Sequence, residues 1–77
     1  MILFNVFLKL VDVEDWVFLG NVSAEDERQG ATQAEKLVAV YLLEHEDAVE
    51  ERTELRGKDS GNVYITWTPV RETSPEA

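Results

Sequence analysis

The sequence predicts a small α+β domain of order ββαββ: a mainly antiparallel four-stranded sheet with one helix packed on one face. Three observations carry that expectation. Apolar residues alternate with a period of two near the N-terminus and again around residue 65, as in strands. Between them, Ala34, Leu37, Val38, Tyr41 and Leu42 recur at i, i+3, i+4, i+7 and i+8, as on the core-facing stripe of a helix. A length of 77 residues with 44 % hydrophobic content suits one modest core. The expected boundaries are a domain over residues 1–70 and a disordered tail over 71–77, which holds Pro75, polar residues and no apolar anchor.

The first strand places Ile2, Phe4, Val6, Leu8 and Leu10 on one face. Leu3, Asn5, Phe7, Lys9 and Val11 make the other face mixed rather than polar, so the strand is expected to be central or covered. Residues 1–11 lack a basic start and a small-residue cleavage site, and they are too short to span a bilayer. Residues 12–15 read as a turn. Residues 16–22 read as a second strand, hairpin-paired with the first, in which Gly20 marks a bulge or a close approach of backbone.

The helical region is expected to begin at Ser23, where Ser23-Ala24-Glu25-Asp26 resembles a capping box and acids follow at the positive helix end. A second start signal stands at Thr32-Gln33-Ala34-Glu35. Gly30 lies between the two. The sequence therefore allows one helix weakened at Gly30, or a short turn followed by a main helix from about Gln33. The helix should end near Glu46. Val49, Glu51, Thr53 and Leu55 then alternate with Glu50, Arg52, Glu54 and Arg56, a polar third strand. Turn formers fill residues 57–62. Val63, Ile65 and Trp67 form the inward face of the last strand, with Tyr64, Thr66 and Thr68 outward, and Pro69 stops it.

Charge is the strongest functional signal. Sixteen Asp and Glu stand against seven Lys and Arg, a formal net charge of −9. That disfavours direct contact with nucleic acid or an anionic membrane, since phosphates attract Lys and Arg. It favours a basic protein partner. Glu44, Glu46, Asp47, Glu50, Glu51 and Glu54 place six acids within eleven residues, with Arg52 and His45 among them. On the third strand, Glu50 and Glu54 share a face with Arg52 between them, and Glu51 points to the other side. Asp12, Glu14 and Asp15 form a second cluster. The bland account of all of them is a solvated face that keeps the chain soluble and discourages edge pairing.

Catalytic motifs are missing. One His and no Cys give no triad, and the absence of Cys excludes disulfides and thiolate metal sites, which fits a reducing cytoplasm. His45, flanked by Glu44 and Glu46, reads as an exposed residue complementing the helix C-terminus. No HExxH, EF-hand or P-loop spacing appears, so neither metal nor cofactor is expected. A carboxylate pair needs a cleft that splits its pKa values, which a one-helix domain rarely supplies. Enzyme activity is therefore not expected.

Phe7, Trp16, Phe18 and Tyr64 exceed what one helix covers. Phe7 and Tyr64 are expected on the helix-free face, either packed across strands or exposed as an apolar interface for a partner or a second copy. The leading expectation is a non-enzymatic module that binds a basic surface, with Glu44, Glu46, Asp47, Glu50 and Glu54 and the cluster Asp12, Glu14 and Asp15 as contacts. In size and acidity the chain is similar to phage-encoded DNA-mimic and anti-CRISPR inhibitors, which implies carboxylates standing in for phosphates on a nucleic-acid-binding protein. The alternative is a homo-oligomeric accessory protein whose acidity serves solubility. A small carboxylate enzyme or metal binder is a third reading. Acidic adaptation to salt is a fourth, although Lys9, Lys58 and several Arg remain.

Overall fold

The computed structural model describes residues 1–68. Strands β1 (Ile2–Leu10) and β2 (Val17–Ala24), helix α1 (Glu27–Glu44), and strands β3 (Glu50–Gly57) and β4 (Val63–Trp67) follow one another, giving the expected ββαββ order. The sheet runs β2-β1-β3-β4, and every neighbouring pair is antiparallel. β1, whose second face is mixed rather than polar, is thus flanked on both sides. The expected tail over 71–77 and the stop at Pro69 lie outside the described residues. Among the described residues no helix is long and apolar enough to cross a membrane.

The core follows the period of β1. Phe4, Val6 and Leu8 are fully buried beneath α1, joined by Val22 and Ala24 from β2 and Leu55 from β3. From above, Ala34 and Val38 are buried, and Leu37, Tyr41 and Leu42 pack against the same clusters. The helix lies closer to β2 than to β4.

The helix begins between the two expected starts. Ser23 and Ala24 belong to β2, paired with Leu3 and Ile2. The N-cap is Asp26: its carboxylate accepts from the Gln29 N–H at 2.8 Å, and the Gln29 side chain accepts from the Glu25 N–H at 2.8 Å. This reciprocal arrangement does the work of a capping box. Thr32 is no cap, because its hydroxyl donates back to the Arg28 carbonyl within the helix. One helix runs through Gly30, which is buried: a Cβ there would stand 3.0 Å from Leu55 Cδ2 and from Phe4 Cε2. The helix ends at Glu44, with the His45 N–H donating to the Tyr41 carbonyl.

Three register shifts decide which face each later residue takes. Val6 pairs with Gly20 and Phe7 with Phe18, leaving Leu19 as the extra residue beside Gly20, whose φ is +140°. This is the bulge that Gly20 signals. Lys9 pairs with Arg52 and Leu10 with Glu50, leaving Glu51 extra. Leu55 pairs with Ile65 and Arg56 with Val63, leaving Tyr64 extra. Each inserted residue resets the two-residue alternation from that point on.

Candidate interaction surface

The first consequence concerns the acids around β3. Thr53, fully buried against the helix side, donates its hydroxyl to Glu50 Oε2 at 2.6 Å, so Glu50 lies on the helix side. Glu51 pairs instead with Lys9, at 3.5 Å, on the helix-free side. The expected assignment of these two residues is therefore reversed, because Glu51 is the bulged residue. Glu50 and Glu54 do not share a face. Glu54 lies on the helix-free side and accepts from Arg56 Nη2 at 2.7 Å and Nε at 2.8 Å, with its side chain only 14 % exposed. Residues 44–54 thus form no single patch, and neither Glu50 nor Glu54 is a freely presented carboxylate.

The remaining acids do converge. The Val11 N–H donates to the Val49 carbonyl, which ties the β1–β2 turn to the α1–β3 connection. Leu10 packs with Tyr41, Leu42 and Ala48 just inside this end. Asp12, Glu14 and Asp15 from the turn, with Glu44, Glu46 and Asp47 from the helix end, therefore occupy one end of the molecule. All six are exposed, and none is in an ion pair among the described residues. Asp12 takes a left-handed φ of 64°, a conformation Asp tolerates in turns. Val11, Val13, Leu43 and Val49 are exposed between the acids, Leu43 at 79 %. The pole is thus a mixture of carboxylates and apolar side chains.

His45 stays with the helix end. Its ring stacks on Tyr41, centroids 4.0 Å apart, and Nδ1 lies 2.9 Å from the Tyr41 carbonyl oxygen. A carbonyl only accepts, so Nδ1 carries the proton and donates. Among the described residues no three His, Asp or Glu come together in a way that would hold a metal ion.

The two aromatic candidates part company. Phe7 is half-buried on the helix-free side, beside Phe18 at 5.4 Å between centroids and beneath the Arg56 guanidinium at 4.2 Å. Tyr64 sits on the helix side, edge-on to buried Phe4 at 5.3 Å and lying against Gly57. The expectation that both face the same way fails because Tyr64 is the extra residue of the β3–β4 bulge.

Two features escaped the sequence reading. Arg56 covers the helix-free face, over Phe7 and 5.3 Å from the Trp16 ring. A groove opens between α1 and the β3–β4 side of the sheet, with Glu35 and Glu50 among its walls. Neither leaves a mark in residue spacing, since one depends on cross-strand neighbours and the other on where the helix lies. Compared with known proteins, the chain matches no protein-family model, no curated protein and no solved structure.

Proposed function

We propose that this chain is a non-enzymatic binding module that docks its acidic pole on a basic surface of another protein. In its sharpest form it is an inhibitor that covers a nucleic-acid-binding surface, with carboxylates in place of phosphates. The observation that supports this reading is the convergence of Asp12, Glu14, Asp15, Glu44, Glu46 and Asp47 from two separate segments, all exposed and outside any ion pair among the described residues. Like charges gathered at one end oppose one another unless a cationic partner arrives. The apolar residues between them supply contact area that charge alone lacks. A compartment that holds nucleic-acid-binding proteins, such as the cytoplasm, fits this role.

A second reading rests on a different surface. Leu3 of β1 and Phe18 of edge strand β2 are exposed on the helix-free side, Phe18 at 55 %. They favour self-association, with acidity serving solubility.

One experiment separates the two: capture from host lysate across a salt series, with Glu14, Glu46 and Asp47 changed to Lys. A control carries Glu25, Glu27 and Asp59 changed to Lys, an equal charge change away from the pole. The expected result is a salt-sensitive nucleic-acid-binding protein, lost with the pole variant and kept with the control. Capture indifferent to salt and to the pole variant ends the mimic reading. A concentration-dependent dimer with no such partner favours the second.

A further inference from the structure

The groove beside α1 has a composition the acidic pole lacks. Because the helix lies toward β2, a space of about 310 Å³ stays open over β3 and β4, floored by Val38, Ala39, Leu42 and Trp67. That is the low end for ligand pockets, which run from about 300 to 1,000 Å³. Two carboxylates, Glu35 and Glu50, stand at its walls. Glu35 is exposed and has no cationic partner among the described residues. Glu50 is held in place: the Glu51 bulge turns it to this side, and the Thr53 hydroxyl fixes one of its oxygens at 2.6 Å. Thr53 is fully buried, at a position where Val would fill the core equally well, and its one polar atom orients that carboxylate.

We infer that this groove seats an arginine side chain of the basic partner. The inference rests on the proposed docking function and assigns it an anchor. An arginine has an apolar stem that suits Val38, Ala39 and Leu42, and a flat guanidinium that stacks on aromatic rings and forks onto carboxylates. Trp67 offers the ring, and Glu35 and Glu50 offer the acceptors. A neutral apolar side chain would leave both carboxylates without a cationic partner in a partly covered site. An anionic one would be repelled.

The probe is N-acetyl-arginine amide, titrated into the full chain and followed by amide and indole NMR shifts, with N-acetyl-norleucine amide in parallel. Saturable shifts are expected at the Trp67 indole and at the Val38, Leu42 and Glu50 amides, with affinity about tenfold above that of the norleucine amide, or about 1.4 kcal/mol. Glu50→Gln should weaken it about tenfold and leave the fold intact by its spectrum. Thr53→Val should weaken it less, because Glu50 remains but is no longer held. Non-saturating shifts centred on Glu46 and Asp47 would mean attraction to the pole alone and would overturn the inference. Equal binding of the norleucine amide would make the groove merely apolar. Residues 69–77 continue from Thr68 at the groove rim and contain Arg71. Binding seen only after their removal would assign the groove to this chain's own segment instead. Loss of the groove site while salt-sensitive capture survives refutes the anchor and spares the proposed function. A working groove without any such capture does the reverse.

Discussion

Gly30 rests on the ring of Phe4: a Cβ built on Gly30 would stand 3.0 Å from Phe4 Cε2. A glycine in mid-helix is unfavourable by about 1 kcal/mol relative to alanine, so its presence calls for a packing reason. Here the reason is close approach of α1 to the sheet. Phe4 and Leu55 are both fully buried and have little room to yield. Gly30→Ala gains helix propensity but overpacks this contact, which costs about 1–3 kcal/mol. A net loss of about 1 kcal/mol is expected in urea unfolding, and a larger loss for Gly30→Val. A stabilised Gly30→Ala protein would show that the helix can lift away without penalty.

The helix start gives a sharper contrast. Asp26→Ala removes the side chain that accepts from the Gln29 N–H, at a cost of about 1 kcal/mol. Ser23→Ala and Thr32→Ala should each change stability by less than about 0.5 kcal/mol, because neither residue caps the helix. Thermal or urea midpoints of the three variants settle which residue starts the helix. A large effect at Ser23 or Thr32 would contradict the assignment.

These same residues show where the sequence was readable. The face carrying Phe4, Val6 and Leu8 and the stripe from Ala34 to Leu42 obey periods of two and 3.6, and burial enforces both, so element order and fold class were legible. The helix start was not. Ser23 and Thr32 each begin a plausible capping sequence, yet the cap is Asp26, because β2 keeps pairing with β1 as far as Ala24. The bulges were illegible for a related reason. An extra residue such as Glu51 or Tyr64 looks ordinary in the sequence, yet it changes faces for its neighbours. The acidic clusters were visible as residues, but their meeting at one end depends on β3 lying beside β1.

Arg56 covers part of the helix-free face. Its guanidinium lies over Phe7, near Trp16, and is held by both nitrogen contacts to Glu54. Cation–π contact and the covering of apolar surface both depend on its flat, delocalised head. Arg56→Ala is expected to destabilise by about 1–2 kcal/mol and to uncover Phe7 and Trp16, raising self-association at high concentration. Arg56→Lys should restore only part of the stability. Urea unfolding and sedimentation read the two effects separately. Full restoration by Lys would mean that charge alone matters at this position.

The acidic pole works against the helix it terminates. The last turn of α1 carries no basic residue, and Glu44 stands at the negative end of the helix dipole, close in sequence to Glu46 and Asp47. A cation at that position is favourable by about 0.3–1 kcal/mol at low salt, and an anion is unfavourable to a similar degree. Glu44→Lys should therefore stabilise the fold, with a gain that shrinks as salt screens it over about 8–10 Å at 0.1–0.15 M. The same change should weaken capture of a basic partner. Stability and binding would then move in opposite directions at one residue, as expected where a carboxylate serves an interface at the expense of folding. If Glu44→Lys instead destabilises the protein in low salt, the acids at the helix end support the fold, and the argument from their unfavourable placement to a binding role is lost.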